Sequence, residues 1–370
     1  MKVLMLATHL NVGGVTGYML RLCEGLAARG IECRVCSSGG NAEKYFTGSG
    51  IGTFTLGIRT KFEFHPRLIP AAFRLVRYVR ENRIDVIHAH TRVAQVIASV
   101  VSRLTGTIFV STCHGFFEPK RLSRRLLPCF GDGVIAISDA VKRHLTDDFR
   151  VSGDRISVVY TGVDAGKFGS GASEEDKKSL LGGLGIHEGP VLGSIGRLSP
   201  VKGYRFLLQA MVSVREVYPA ASLLLIGEGP EEESLKNMAQ DLGLADCVFF
   251  LNTRVDTARF YPLFDVFILP SVQEGLGIAL LEAMAAGRVC VASSVGGITD
   301  VIEEGVNGIL VAPADPGLLA VAVARALGDR ASAAKIGARA RETIETKFTL
   351  DGMISGTVKF YERFLHEKKK

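Results

Sequence analysis

Long apolar runs are missing from this 370-residue chain. No uninterrupted stretch reaches the ~18 residues needed to span a bilayer, so no membrane-spanning helix is expected. Met1–Leu10 is apolar but leads into Asn11-Val12-Gly13-Gly14 rather than a small-residue cleavage site. That favours a first core strand over a signal peptide. Cysteine is sparse: seven residues, at 23, 33, 36, 113, 129, 247 and 290, lie scattered in apolar segments. An odd, scattered set argues against a disulfide framework and for a reducing, cytoplasmic compartment. No Gly-x-Gly-x-x-Gly follows the first strand, which disfavours a dinucleotide oxidoreductase. Aromatic stacking platforms among the cations are wanting, which disfavours nucleic acid as a partner. The terminal Glu367-Lys368-Lys369-Lys370 is the one low-complexity tract.

The chain is 47% hydrophobic and 22% charged, a soluble globular composition, and its length suits two domains. Charge is uneven. Residues 1–170 hold 23 Lys and Arg against 13 Asp and Glu, while residues 171–370 hold 21 against 25. A first half with a net charge of +10 suits something anionic, a membrane surface, a phosphorylated ligand or a nucleic acid, or is an ordinary solvated basic surface.

Short apolar runs alternate with helical patterns. Val3–Ala7, Glu32–Cys36, Val86–His90, Ile108–Cys113, Val134–Ile137 and Ser157–Tyr160 read as buried strands in the first half. Gly14–Arg29 and a stripe through Ala72, Leu75, Val76 and Val79 read as helices. Asp164–Glu188, crowded with Gly and charge, reads as a linker. Strands then recur at Val191–Ile195, Ser222–Ile226, Val248–Leu251, Val266–Leu269, Val289–Ala292 and Gly308–Val311. Helical patterns cover Phe206–Val217, Glu231–Asp241, Gly277–Ala286 and Leu318–Leu327. The expected architecture is α/β, two tandem Rossmann-like domains whose parallel sheets face each other across a cleft. The expected boundaries are 1–168 and 186–350, with a helix over 351–370 packing back on the first domain.

Two stretches carry chemistry. Glu274-Gly275-Leu276-Gly277-Ile278 follows a strand and opens a helix that runs through Glu282. Unpaired N–H groups at such a helix start are a ready phosphate site. Carboxylates repel phosphate but accept hydrogen bonds from sugar hydroxyls well. Gly196-Arg197-Leu198-Ser199-Pro200-Val201-Lys202-Gly203 puts two cations on a loop beyond a strand end. There they would neutralise a departing diphosphate, unless they are merely solvated.

Arg197…Lys202, Gly227-Glu228-Gly229-Pro230 and Glu274…Glu282 resemble the retaining glycosyltransferases of family 4, group 1, which have the GT-B fold. The likeness continues through Glu282-Ala283-Met284-Ala285-Ala286-Gly287, Gly296-Gly297-Ile298-Thr299-Asp300, Glu304-Gly305-Val306-Asn307-Gly308 and Asp85-Val86-Ile87-His88-Ala89-His90. With Gly13-Gly14 it spans nearly the whole chain. The resemblance implies catalytic roles for His114, Arg197, Lys202 and Glu274. It implies donor-binding roles for Gly13, Gly14, Arg254, Val255, Gly275, Leu276, Gly277, Ile278 and Glu282. Arg197 and Lys202 would hold the donor diphosphate, Glu274 the donor sugar and Glu282 the ribose. Two departures stand out: Thr161 where the family often has Asn, and Gly115 where it often has an acid. The second weakens His114 as half of an acid/base pair.

The resemblance further implies a retaining, metal-independent transfer from a nucleotide-sugar to an acceptor hydroxyl, with no cofactor. The acceptor would be a glycan or lipid-linked glycan of the cell envelope. The alternatives are a nucleotide-sugar epimerase of the same architecture and a non-catalytic nucleotide-sugar sensor. Glu274 and Glu282 lie on one side of the phosphate site, so they do not form the pair a hydrolase needs. His88 and His90 point to one face of a strand without a third ligand nearby, so no zinc site is expected. Cys33 and Cys36 read as buried thiols. The apolar–basic segment Phe116–Leu127 and the stripe Arg74, Arg77 and Arg80 suggest peripheral contact with an anionic membrane.

Overall fold

A computed structural model describes residues 1–370 except 61, 118–126, 170–172, 187–188, 253–255 and 370. Contacts divide the chain into two compact units, Met1–Gly162 with Leu350–Lys370, and Val163–Thr349.

In the first unit seven parallel strands lie in the order β3-β2-β1-β4-β5-β6-β7. They are β1 (Lys2–Leu6), β2 (Glu32–Ser37), β3 (Gly52–Thr55), β4 (Val86–Ala89), β5 (Ile108–Cys113), β6 (Gly133–Ala136) and β7 (Ile156–Val158). β4 and β5 are buried throughout, as parallel strands covered on both faces must be. Helix α1 (Gly14–Ala27) follows β1 and buries Tyr18, Met19, Leu22, Cys23 and Leu26. After α2 (Glu43–Gly48) comes α3 (Leu68–Asn82), whose buried face is Leu68, Ala71, Ala72, Leu75, Val76 and Val79. Beside it lies α4 (Arg92–Thr105), and α5 (Asp139–Asp147) follows β6. The six remaining Cys besides Cys129 are buried, and all seven are free thiols.

The second unit has six parallel strands in the order β10-β9-β8-β11-β12-β13. They are β8 (Val191–Ile195), β9 (Ser222–Ile226), β10 (Val248–Leu251), β11 (Val266–Leu269), β12 (Val289–Ser293) and β13 (Ile309–Val311). Its site-bearing helices are α8 (Tyr204–Val217) and α10 (Ile278–Ala285), separated by α9 (Glu232–Asp241). Beyond them lie α11 (Ile298–Val301), α12 (Pro316–Gly328) and α13 (Arg330–Lys347). The last helix, α14 (Leu350–Lys369), belongs to the first unit and packs on α1.

The stretch expected to be a linker, 164–188, is not one. It holds α6 (Ala165–Gly169) and α7 (Glu174–Gly182). The Ser173 hydroxyl caps α7 by accepting the Asp176 N–H at 3.1 Å, and acidic residues in the first turn suit the helix dipole. α6 packs on α10, and its Phe168 meets the Tyr261 ring edge-on at 5.6 Å.

Candidate active site

In an open parallel sheet a crevice forms beyond the carboxyl ends, where connections from neighbouring strands leave in opposite directions. In the second unit that point lies between β8 and β11. The loop after β8 carries Arg197 and Lys202, and the loop after β11 carries Glu274. The two loops are bonded together. The N–H groups of Val272 and Gln273 both donate to the Val201 carbonyl, at 2.9 and 3.2 Å. Gly203, at φ 68°, presses so close to the second loop that a Cβ would lie 2.1 Å from the Pro270 carbonyl oxygen.

This clamp brings Lys202 Nζ onto Glu274 Oε2 in an ion pair. The Ser271 hydroxyl donates to the same oxygen at 3.2 Å. Both charged side chains are mostly covered, at 21% and 12% exposure. Arg197 stands exposed on the same loop. Gly277 adopts φ 90°, a left-handed turn that favours glycine, and caps α10. The first N–H groups of α10 therefore lack partners within the helix. Leu276 is buried beneath this turn, while the Gly297 N–H fastens the loop by donating to the Glu274 carbonyl at 3.1 Å. Arg197, Lys202, Glu274, Gly275, Gly277 and Ile278 thus share one edge.

Glu282 lies one turn inside α10 and is buried. Its Oε2 accepts from the Tyr261 hydroxyl at 2.7 Å and from Thr257 at 3.3 Å. Nothing in a Glu-x7-Glu spacing points to Tyr261, which arrives from the segment before β11. Arg254 and Val255 lie outside the described residues.

The corresponding edge of the first unit carries Gly13, Gly14, His90 and His114. Gly13 and Gly14 are exposed at the start of α1, and a Cβ on Gly13 would meet nothing within 4 Å. His114 follows β5. Its Nε2 lies 3.1 Å from His90 Nδ1, and His90 Nε2 lies 3.4 Å from Met5 Sδ. Tyr18 packs edge-on against the His114 ring at 4.8 Å. Deeper still, His88 is held by the Tyr361 hydroxyl at 2.6 Å and Thr112 at 2.7 Å. Burial lowers the His88 pKa to about 3, helped by neighbouring His114, and pushes His90 well below the ordinary imidazole value. His114 keeps an edge toward solvent, yet the protein around it lowers its pKa to about 3 as well. The three imidazoles thus form a neutral, hydrogen-bonded cluster. Among the described residues no three His, Cys, Asp or Glu side chains gather as a metal site would require.

The sequence reading passed over His144. Its Nε2 accepts the Phe117 N–H at 2.9 Å and its Nδ1 meets Asp148 at 2.5 Å. It fixes the chain three residues beyond His114. The rest of the apolar–basic segment, 118–126, lies outside the described residues.

Two all-parallel Rossmann-like units, the second with a cation–carboxylate pair at its switch point, define the GT-B class. The chain superposes on Anabaena HepE, solved in complex with UDP and glucose, with a TM-score of 0.87 at 24% identity. That alignment covers 97% of this chain and 98% of HepE. A family model described as "Glycosyl transferases group 1" matches residues 177–343, and one described as "Glycosyltransferase Family 4" matches residues 12–167. The chain belongs to this family of glycosyltransferases. It is 28% identical to a D-inositol 3-phosphate glycosyltransferase of Acidothermus cellulolyticus, covering all of this chain and 91% of that one. It is 29% identical to the UDP-Gal:alpha-D-GlcNAc-diphosphoundecaprenol alpha-1,3-galactosyltransferase of Escherichia coli, covering 64% of this chain and 65% of that one.

Proposed function

We propose that this glycosyltransferase moves a sugar from a nucleoside-diphosphate sugar to a hydroxyl of a lipid-linked or cell-envelope glycan, with retention and without a divalent metal. The Lys202–Glu274 pair at the start of α10 carries the reading. A diphosphate would take Lys202, Arg197 and the α10 N–H groups as partners, and Glu274, released, would accept from sugar hydroxyls. Glu282, held by Tyr261, would receive the ribose. The bond from the anomeric carbon to phosphate breaks as the bond to the acceptor oxygen forms. The acceptor proton passes to the departing phosphate oxygen on the same face. Two cations and a helix start supply the charge that a metal otherwise would. Roles for Gly13 and Gly14 at the diphosphate, and for His114 at the donor sugar, belong to the same proposal, as do Arg254 and Val255 near the base.

The lipid-linked acceptor rests on the basic first half and on the E. coli relative. Among the described residues no helix is long and apolar enough to cross a membrane; peripheral contact with the cytoplasmic face belongs to the same proposal. A thermal-shift screen of nucleotide-sugars identifies the donor by mass action. Turnover of that donor with a polyprenyl-diphosphate glycan in EDTA, followed by NMR of the new anomeric proton, then tests the rest. Loss of activity in EDTA, or an inverted product, refutes it.

A further inference from the structure

Of the thirteen large hydrophobic side chains that the described residues expose, four fall between positions 62 and 73. They are Phe62 at 73% exposure, Phe64 at 54%, Ile69 at 62% and Phe73 at 65%. No other Phe is among the thirteen. Single exposed apolar residues need no explanation, but a cluster of aromatic ones does.

The cluster is built rather than loose. Glu63 turns inward and pairs with Arg92 of α4, both side chains largely covered at 16% and 12% exposure. Residues 62–65 form a turn, the His65 N–H donating to the Phe62 carbonyl at 3.2 Å, which leaves both Phe62 and Phe64 exposed. Arg92 also donates to the Pro128 and Leu127 carbonyls, each at 2.7 Å. The Phe62 N–H donates to Thr60 Oγ1 at 3.0 Å, and successive turns carry the chain into α3. On α3, Ile69, Phe73, Arg77 and Arg80 follow at helical spacing on the face opposite the core.

Charge surrounds the rings. Positions 59–83 hold seven Lys and Arg against Glu63 and Glu81. Glu63 is engaged by Arg92, and Glu81 by Arg77 across one helical turn. Aromatic rings amid excess cations match an anionic bilayer surface, into which rings enter while guanidinium groups stay at the headgroups.

We propose that the loop around Phe62 and Phe64, with the Ile69–Phe73–Arg77 face of α3, is the surface through which the first unit docks on anionic lipid. This deepens the reading that the acceptor is lipid-linked and rests on it.

The test is vesicle flotation of the full chain with phosphatidylcholine alone and with about one third phosphatidylglycerol. Wild type should float with the anionic vesicles and not with the neutral ones. Phe62→Ser with Phe73→Ser should lower partitioning about a hundredfold, roughly tenfold for each ring. Arg67→Gln with Arg77→Gln should lower it further only on anionic vesicles. All four side chains are exposed, so the thermal midpoint should hold, and so should turnover of a water-soluble acceptor. If wild type floats and the Phe variant floats equally well, the docking surface lies elsewhere and this inference falls while membrane association stands. Equal binding to neutral and anionic vesicles overturns the role of charge. If wild type binds neither, both the surface and the peripheral reading fall.

Discussion

Glu274→Gln should act in opposite directions on two ligands. In the free chain Lys202 is paired with Glu274, so a diphosphate that seeks Lys202 must first break that pair. A hydrogen bond to a charged partner contributes about 1.5–3 kcal/mol net. The partial exposure of both side chains, 21% and 12%, argues for the low end, because the separated groups regain some water. About 1.4 kcal/mol is a factor of ten. The Gln variant should therefore bind a free nucleoside diphosphate about tenfold more tightly than wild type. On the proposed role of Glu274, the same change removes the charged acceptor offered to the donor sugar. Turnover of the intact nucleotide-sugar should fall ten- to a hundredfold, since charge-assisted bonds are roughly twice as strong as neutral ones. Calorimetry with the nucleoside diphosphate, at one fixed ionic strength, and initial rates with the nucleotide-sugar read the two effects. Lys202→Gln should weaken the diphosphate instead. If Glu274→Gln weakens both ligands, or leaves the diphosphate unchanged, the pair is not the gate to Lys202 and the reasoning fails.

Gly203→Ala should cost about 3 kcal/mol, because an added Cβ meets the Pro270 carbonyl at 2.1 Å and strains φ 68°. Urea unfolding measures it, and a loss below about 1 kcal/mol would show that the loops are not clamped there. Stability should also fall with acid. Burial lowers the folded-state pKa of His88 and His114 to about 3 and of His90 well below normal, whereas all three titrate near ~6.5 when unfolded. Below that value the unfolded chain binds about three more protons, so acid favours it. Between about pH 7.5 and 5.5 the three should cost roughly 4 kcal/mol, and a flat unfolding free energy over that range would refute it.

Much of the second unit was legible because its central strands are covered on both faces. Val248–Leu251 and Val266–Leu269 are continuous apolar runs, Ser222–Ile226 is apolar after its first residue, Val191–Ile195 is broken only by Gly193 and Ser194, and the structure ends each where the run ends. β3 was not legible: Gly52–Thr55 is a short, half-exposed edge strand without a clear apolar period. α7 was hidden for the opposite reason. Its stability comes from a Ser173 cap and an acidic first turn rather than from an apolar stripe, so charge and glycine read as linker. α4 did carry a stripe, Val93, Ala94, Ile97, Ala98 and Val101, which the sequence reading left unused. Of the site, the cations and carboxylates were visible as motifs. Their partners were not, because Tyr261 reaches Glu282 and His144 reaches Phe117 only once the sheets place them.

The two sheets present contrasting chemistry at equivalent edges. At the β8/β11 switch point the neighbouring loops carry Arg197 and the ion-paired Lys202 and Glu274, and the start of α10 has no side-chain cap. Beyond β4 and β5 of the first sheet, His90 and His114 are imidazoles whose pKa values burial has lowered far below neutrality. A neutral imidazole offers one donor and one acceptor and no charge. With His90 Nε2–H directed at Met5 Sδ, His90 Nδ1 is left to accept from His114 Nε2–H. The remaining His114 nitrogen, Nδ1, is then a bare acceptor, suited to a hydroxyl and indifferent to phosphate.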